Sequence, residues 1–441
     1  MMRTMKDSGI EWICEIPENW KVLSLKRLFS ARRGGAWGDD SANNDGDRIC
    51  LRVADFNYDK LCIKEEDKTI RNYRLQTIKN LRLGLNDLLI EKSGGGEKTP
   101  VGRCVLPKGY EGCLYANFID KLTVKTDCYN KHIAYLMCVA YYNGVNIPHI
   151  KQTTGIQNLD VERYLSEKVA VPPLAEQKKI ADFLDGKCAE IDELVQTEEK
   201  MIEELKAYKQ SVITEAVTKG LDPAAPMKDS GIEWIGKIPA SWEVKKLKQF
   251  CDGALKYGAN ANGIAYRPDL ARYVRITDIL DNRLRDDILK QSLPNEIAND
   301  YILQDNDILF ARSGGTVGKT FIFDASKYGK CAFAGYLIRA RISAENIAKY
   351  VYYYTLSTCY NEWKNRIFIQ STIQNIGASK YSMLDITAPS LAEQKQIADY
   401  LDEKCAKIDE IIALRTEQIN QLKEYKKSLI YEYVTGKKEV V

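Results

Sequence analysis

The most constraining feature of this 441-residue chain is that much of its sequence occurs twice. The segment MKDSGIEWI at residues 5–13 returns unchanged at 227–235, and an Ile-Pro-x-x-Trp motif follows both copies. A second shared block, LAEQKKIADFLD at 174–185 and LAEQKQIADYLD at 391–402, recurs at a spacing of 217 residues. Because repeats on this scale set the architecture of a chain, the sequence predicts two half-proteins in tandem.

The shared blocks also set the expected domain limits. We predict globular domains at 1–173 and 221–390 and helical regions at 174–220 and 391–441. The expected fold class is α+β, with two similar mixed α/β domains joined by a long antiparallel two-helix coiled coil and an internal pseudo-two-fold repeat. Diverged surfaces on a duplicated fold suit two copies that bind different targets, although neutral drift after a tandem duplication would produce the same pattern.

The helical regions carry heptads, which indicate a coiled coil when they are sustained. Steps of seven residues from Leu184 and from Leu401 give one expected apolar seam on each helix. The positions three residues after these give a second expected seam. The seam residues are Leu184, Ile191, Leu205, Leu401, Ile408 and Leu422 in the first set, and Leu194, Tyr208, Ile411 and Tyr425 in the second. The heptads also place Glu198 and Arg415 at equivalent positions. We expect these two charges to meet near the local two-fold axis, the alternative being two unrelated solvent-facing charges.

Charge is unevenly distributed along the chain. Residues 175–218 carry 6 basic and 11 acidic side chains, and residues 392–435 carry 7 and 9, a combined net charge of −7. Since the whole chain carries +3, the globular parts carry +10, which favours contact with a polyanion. A solvated surface of mixed charge would produce the same imbalance.

Composition excludes several classes of protein. The 45% hydrophobic and 28% charged residues are typical of a globular protein, and the longest apolar run, residues 133–142, is too short to span a membrane. The twelve dispersed cysteines form no Cys-x-x-Cys pair and only two histidines are present. A zinc site is therefore disfavoured, and reduced thiols in the cytoplasm are expected, with no membrane attachment.

Each half contains a glycine-rich loop after an apolar segment. Backbone amides, hydroxyls and cations in such a loop suit phosphate oxygens, whereas a tight turn with solvated cations is the alternative. The candidate residues are Lys92, Ser93, Lys98 and Arg103 in the first half and Arg312, Ser313 and Lys319 in the second. Gly318-Lys319-Thr320 resembles the end of a nucleotide-binding loop, but Ser313 replaces the required glycine, so ATP binding is not expected.

A polar run follows each loop further along the chain. Gln and Asn side chains can pair with adenine in the major groove, although a loop that caps the next element is equally compatible. The run comprises Gln152, Thr153, Thr154, Gln157 and Asn158, with counterparts Gln370, Ser371, Thr372, Gln374 and Asn375. Arg52 and Arg275 are further candidates for DNA contact, or else they pair with the nearby Asp55 and Asp278.

Tyr350, Tyr352, Tyr353 and Tyr354 invite a base-stacking interpretation. We expect core packing for them instead, because they lie in an apolar helical segment.

The block PPLAEQKKIADFLD, the opening GIEWIGKIPASW and the loop RSGGTVGK together resemble the specificity subunits of type I restriction-modification enzymes. The resemblance covers nearly the whole chain. It implies two target-recognition domains that each read one half of a bipartite double-stranded DNA site, with helices that fix the gap between the halves. It also implies two modification subunits and two restriction subunits as partners, in which S-adenosylmethionine, ATP and Mg are used.

The chain itself offers no catalytic residues. It lacks both the Asn/Asp-Pro-Pro-aromatic motif and the glycine-rich turn that an adenine methyltransferase needs. We therefore expect no cofactor, no metal and no catalysis in this chain. The competing interpretations are a coiled-coil adaptor that binds no DNA, and a DNA-binding regulator that recruits no methyltransferase.

Overall fold

The structure is a computed structural model that describes residues 3–153, 155–280, 282–369 and 375–440. Two helices dominate its secondary structure, Leu174–Lys219 and Leu391–Val434, hereafter the first and second long helix. Tertiary contacts divide the chain into unit 1, Met1–Thr197 with Gln418–Val441, and unit 2, Glu198–Glu417. Each unit thus contains one globular part and a portion of both long helices.

The globular part of unit 1 is built mainly on antiparallel strands, with one parallel pair, Leu114–Tyr115 with Asp47–Leu51. Its main sheet has the order Cys104–Val105, Asp87–Glu91, Ile119–Val124, Phe29–Gly34. A second sheet has the order Leu114–Tyr115, Asp47–Leu51, Ile70–Asn72, Asp39–Asp40, and a third the order Ser93–Gly94, Ile156–Leu159, Ile150–Thr153. The strand pairs are Met5–Asp7 with Glu15–Pro17, Lys21–Ser24 with Lys168–Val171, and Phe56–Asn57 with Cys62–Ile63. The helices are Leu25–Leu28, Val53–Asp55, Leu75–Leu81, Asn130–Tyr142, Ile147–His149 and Val161–Tyr164.

Unit 2 repeats this plan. Its main sheet has the order Thr320–Ile322, Ile308–Ala311, Leu337–Ala340, Lys256–Tyr257. A second sheet has the order Ile264–Ala265, Gln291–Leu293, Ala271–Val274, Cys331–Phe333. The strand pairs are Met227–Asp229 with Lys237–Pro239, Glu243–Lys246 with Asp385–Ala388, and Ile279–Leu280 with Arg283–Leu284. The helices are Leu247–Gln249, Ile276–Asp278, Asn295–Ala298, Asn299–Tyr301, Ala325–Tyr328, Ala348–Tyr354, Thr358–Ile369 and Ala378–Tyr381. The predicted mixed α/β character of two similar domains is confirmed.

The repeated Gln of the LAEQ block explains why that block recurs. Gln177 is buried at the start of the first long helix, where its side-chain oxygen accepts a hydrogen bond from the backbone amide of Tyr129 at 2.8 Å. Gln394 accepts one from the amide of Ile347 at 2.9 Å in the same way. The side-chain nitrogen of each glutamine donates to the backbone carbonyl five positions earlier, that of Pro172 or Pro389. Because buried polar groups need partners, this glutamine fixes each long helix to its globular part.

The two long helices pair antiparallel, as predicted. Lys426 forms an ion pair with Asp192 at 2.7 Å in unit 1, and Lys209 forms one with Asp409 at 2.6 Å in unit 2. Residue numbers thus rise along one helix as they fall along the other. Of the predicted first seam, four members are buried and two are half-buried: Leu184, Ile191, Leu401 and Ile408, and then Leu205 and Leu422.

The predicted second seam is wrong. Leu194, Tyr208, Ile411 and Tyr425 are 41% to 56% exposed. The buried residues lie four positions after the first seam instead of three, at Cys188, Val195, Ile202, Cys405 and Ile419. Positions three and four residues along a helix of 3.6 residues per turn fall on opposite flanks of the same face. The sequence has apolar residues on both flanks, and packing selects the second.

The tyrosine cluster lies in the core of unit 2, as expected. Tyr350, Tyr352, Tyr353 and Tyr354 are all buried, and the hydroxyl of Tyr350 donates to the carbonyl of Thr387 at 3.1 Å. These rings therefore stabilise the fold and are not available to bases.

No helix in the described part of the chain combines the length and apolar character needed to cross a membrane.

Candidate nucleic-acid interface

The glycine loop and the polar run of unit 1 come together, although they are far apart in sequence. The strand Ser93–Gly94 pairs antiparallel with Ile156–Leu159, which places Ser93 opposite Asn158. The hydroxyl of Ser93 donates to the side-chain oxygen of Asn158 at 2.7 Å across 65 positions. The two predicted features therefore form one surface.

Unit 2 repeats this arrangement. Ser313 forms an antiparallel bridge with Asn375, and the amide of Ile376 donates to the carbonyl of Arg312 at 2.9 Å. The equivalent residues thus meet in both halves of the chain. The remaining candidates of this run, Gln370, Ser371, Thr372 and Gln374, lie outside the described residues.

The members of the first polar run have different environments. Gln157 is buried, and its side-chain oxygen accepts a hydrogen bond from the amide of Val101 at 3.2 Å. Gln157 therefore holds the backbone of the glycine loop in place. This agrees with the structural alternative to base contact that the sequence leaves open for this residue. Gln152 and Asn158 are exposed. Thr153 lies in the strand Ile150–Thr153 with its side chain outside the described part, and Thr154 also lies outside the described residues.

Lys92 lies beside a buried carboxylate at the edge of this surface. Its ammonium is 2.7 Å from Oδ1 of Asp120, and the guanidinium of Arg32 is 3.0 Å from Oδ2. Two cations around one buried carboxylate leave a net positive charge. Arg32 was not predicted, because nothing in its local sequence distinguishes it from other surface arginines.

Arg103 is engaged within the protein. Its Nε lies 3.5 Å from the carboxylate of Glu91, and its guanidinium lies 3.6 Å above the ring of Tyr58. The Tyr58 hydroxyl donates to the same carboxylate at 3.2 Å. Burial raises the pKa of Glu91, and the charge of Arg103 acts in the opposite direction. The positive charge of Arg103 thus offsets the negative charge of the buried Glu91 carboxylate. Arg103 and Lys98 also line a cavity of about 460 Å³.

Lys98 and Lys319 differ from the other candidate cations. Both are exposed, and neither ammonium has a hydrogen-bond or ion-pair partner among the described residues. Lys319 also lies near Lys364, whose pKa is lowered mainly by burial and further by the charge of Lys319. Two neighbouring cations that have no ion-pair partner in the described part of the chain favour an external anion. Lys364 was not predicted, because only the tertiary packing of the helix Thr358–Ile369 brings it near Lys319.

Buried tyrosines of unit 2 hold the backbone of its glycine loop. The hydroxyl of Tyr360 donates to the carbonyl of Gly318 at 2.8 Å, and that of Tyr381 donates to the carbonyl of Ala311 at 2.9 Å. The guanidinium of Arg312 lies 4.9 Å from the ring centre of Tyr257. The backbone of the loop is therefore tied to the core of unit 2 at Ala311 and at Gly318.

Arg52 and Arg275 pair with the nearby aspartates, which is the alternative to DNA contact that the sequence leaves open. Arg52 lies 3.2 Å from the carboxylate of Asp55. Arg275 contacts both oxygens of Asp278, at 2.8 and 3.2 Å, and also donates to the carbonyl of Leu289. Both aspartates are buried, so each pair fixes a turn of the chain.

The segment that resembles a nucleotide-binding loop has the wrong continuation. Thr320 begins the strand Thr320–Ile322, whereas a phosphate-binding loop of that class leads into a helix whose N-terminus holds the phosphates. The segment therefore lacks the loop-to-helix arrangement of that class of phosphate-binding loop.

Comparison with known proteins gives consistent matches over both halves of the chain. The sequence model of the family described as "Type I restriction modification DNA specificity domain" matches residues 17–207 and again residues 239–424. The type I restriction enzyme MjaVIII specificity subunit of Methanocaldococcus jannaschii is 27% identical over 290 residues, which cover 64% of this chain and 65% of that subunit. The chain thus spans just under two thirds of that relative.

A second relative is matched over more of its length. The type I restriction enzyme StySPI specificity subunit of Salmonella potsdam is 24% identical over 418 residues, which cover 90% of this chain and 84% of that subunit. A chain solved in a study of complex assembly and conformational transition of the type I R-M system superimposes with a TM-score of 0.70, at 13% identity and over 95% of this chain and 98% of that one. At that identity the superposition shows a common fold.

Proposed function

The chain belongs to the family of type I restriction-modification DNA specificity domains, and we propose that it is the subunit that reads a two-part double-stranded DNA site for a restriction-modification complex. Each unit reads one half-site, and the two long helices set the distance between the half-sites. The observation that carries this proposal is the repeated meeting of the glycine loop with the polar run, at Ser93 and Asn158 and again at Ser313 and Asn375.

Electrostatics supports this proposal. The globular parts carry the excess positive charge of the chain. The loop of each unit also carries one exposed lysine, Lys98 or Lys319, that has no counter-charge among the described residues. Such cations bind phosphate groups and orient a protein on DNA, whereas hydroxyl and amide groups beside them contact base edges.

The chemistry resides in partner subunits in this proposal. Two modification subunits supply adenine methylation with S-adenosylmethionine, and two restriction subunits supply ATP- and Mg-dependent translocation and cleavage. The partner-free chain is therefore expected to show no methylation, cleavage or ATP hydrolysis, and the expected compartment is the cytoplasm. Robust activity of a purified partner-free sample would contradict this part.

The decisive experiment is a DNA-binding measurement on the chain together with its modification subunit. Methylome sequencing of cells that carry the intact system first gives both half-sites and their spacer. Binding to a duplex with that site is then compared with binding to a scrambled duplex over a salt series. Site-specific binding that weakens steeply with salt supports the proposal. Equal and weak binding to both duplexes favours the alternative of a coiled-coil adaptor.

A further inference from the structure

An exposed aromatic residue occupies the same turn in both units. The segments 115–119 and 333–337 read YANFI and FAGYL, and each lies between a strand of the second sheet and a strand of the main sheet. Phe118 is 47% exposed and Tyr336 is 64% exposed. Among the described residues, neither ring packs against another aromatic ring or a cation. Single exposed apolar residues are common, but the same exposed position in two diverged copies is not explained by packing.

The turn that carries this residue is held rigidly. The amide of Gly35 donates to the carbonyl of Ile119 at 2.9 Å, and the amide of Gly258 donates to that of Leu337 at 3.1 Å. A Cβ atom at Gly35 would lie 2.2 Å from the nearest carbonyl oxygen of the turn, and one at Gly258 would lie 2.3 Å from it. Only glycine permits this approach. Each aromatic side chain is therefore presented from a fixed backbone, which lowers the entropic cost of a contact.

Each aromatic residue lies directly beside the candidate loop. The amide of Lys92 donates to the carbonyl of Phe118 at 2.9 Å, and the amide of Arg312 donates to the carbonyl of Tyr336 at 3.0 Å. Ser93 and Ser313, which meet the polar run, follow immediately in the chain. An aromatic ring thus lies next to a cation and to hydrogen-bonding groups in both units.

We propose that Phe118 and Tyr336 are specificity-determining residues that each contact the methyl group of a thymine in their half-site. This inference rests on the proposed function. Phe118 has no group that could donate to a phosphate, so the feature that it shares with Tyr336 is the ring itself. The thymine methyl is the apolar group that the major groove presents, and aromatic side chains bind it. Each half-site must then contain at least one A·T pair that the ring contacts.

The test uses the full chain with its modification subunit and fluorescent duplexes that carry the mapped site. Thymines are replaced singly by uracil, which removes only the methyl group. The wild-type complex is expected to lose about three- to tenfold in affinity at one position of each half-site. Phe118→Ala is expected to lose a similar factor on the normal duplex and to be insensitive to uracil at that position. Tyr336→Ala is expected to do the same at the other half-site.

The controls separate this contact from charge and from folding. Leu85→Ala and Met383→Ala remove other exposed apolar side chains of the two units and are expected to bind as the wild type does. Phe118→Tyr and Tyr336→Phe are expected to retain the uracil sensitivity. The salt dependence of binding is expected to stay unchanged in both alanine variants, because no ion is released by an uncharged side chain.

The outcomes are distinguishable from a failure of the proposed function. A wild-type complex that shows no site-specific binding would refute the proposed function itself. Site-specific binding with no uracil-sensitive position in either half-site would overturn this inference alone. The uracil series on the wild-type complex can overturn the inference even if an alanine variant does not fold.

Discussion

The carboxylate of Glu198 lies 2.6 Å from the guanidinium of Arg415, to which it is equivalent in the sequence repeat 217 positions away. The ion pairs Asp192 with Lys426 and Lys209 with Asp409 are related to each other by the same shift of 217 residues. An antiparallel pair of repeated helices has a local two-fold relation, and a contact between equivalent positions falls on its axis. The expected meeting of opposite charges at that point is confirmed.

This axial pair is expected to stabilise the helix pairing. Glu198 and Arg415 are 15% and 30% exposed, so their interaction is intermediate between a surface pair and a buried one. Glu198→Gln and Arg415→Gln are each expected to lower the free energy of unfolding by about 1–2 kcal/mol. The double variant is expected to reveal a coupling of about 1 kcal/mol in urea unfolding.

Two controls accompany this double-mutant cycle. The charge exchange Glu198→Arg with Arg415→Glu is expected to recover most of the stability. The exposed pair Lys200 and Glu204, at 3.8 Å on one helix, is expected to show a coupling of less than about 0.5 kcal/mol. A coupling at the axial pair that is no larger than this control would contradict the assigned role.

Features that depend on local sequence or on the internal repeat can be predicted from the sequence, whereas features that depend on tertiary packing cannot. The repeat and the shared LAEQ blocks predict two similar domains and helices that begin at Leu174 and Leu391, because these signals are local or internal to the chain. Of the two predicted seams, only the first faces the partner helix. Leu194 and Val195 are both apolar, and only the position of the partner helix selects Val195 for burial.

The candidate interface shows the same limit. The glycine loops and polar runs could be found in sequence, but their pairing at Ser93 and Asn158 is a contact across 65 positions. Which cations are neutralised is also tertiary information, as at Arg103 with Glu91. The turn that carries Phe118 leaves a weaker signal in the sequence, the recurrence of YANFI as FAGYL at an equivalent place in the second half.

Lys98 and Lys319 are expected to contact phosphates. Lys98→Ala and Lys319→Ala should each weaken binding to the mapped duplex and to a scrambled duplex by similar factors. Each should also reduce the slope of log affinity against log salt by about one, because one counterion fewer is released. Lys200→Ala, on the exposed face of the first long helix, serves as the control. An unchanged slope in both loop variants would remove these lysines from the interface.

Arg103 is expected to matter for stability in a pH-dependent way. Burial raises the pKa of Glu91 above its ordinary value of 4.5, and removal of the neighbouring cation should raise this pKa further. A carboxyl with a raised folded-state pKa contributes stability below its ordinary pKa, and this contribution is lost as the pH rises through the folded-state pKa. Arg103→Gln should therefore be close to the wild type at pH 4 and increasingly less stable toward pH 8.

The measurement is the difference in Tm between Arg103→Gln and the wild type across that pH range. We expect the difference to widen by a few degrees, since one unit of pKa corresponds to about 1.4 kcal/mol. The double variant Arg103→Gln with Glu91→Gln retains neither charge and should lose this pH dependence. A constant difference in Tm would assign the effect to lost packing against Tyr58 instead.

Recognition is expected to be modular. Replacement of residues 1–171 by the first domain of another family member should change one half-site and leave the other intact. This boundary keeps the strand Lys168–Val171 with its partner Lys21–Ser24 inside the transplanted segment. Methylome sequencing reads both half-sites at once. If both half-sites change together, the two units do not read DNA independently.

The long helices are expected to measure the spacer between half-sites. A four-residue insertion adds about 6 Å of helix, which corresponds to one or two base pairs at about 3.4 Å per base pair. Four residues are just over one turn, so the apolar seam stays nearly in phase. Since the helices are paired antiparallel, matched insertions after Glu199 and after Thr416, 217 positions apart, keep both helices in register.

Methylation of duplexes with fixed half-sites and graded spacers tests this expectation. The optimal spacer should lengthen by one or two base pairs in the doubly inserted chain. Matched insertions of two residues should instead turn the seam by about 200° and destabilise the helix pair. An inserted chain that is folded and active but retains the original optimum would show that the helices bind partners without setting the distance between half-sites.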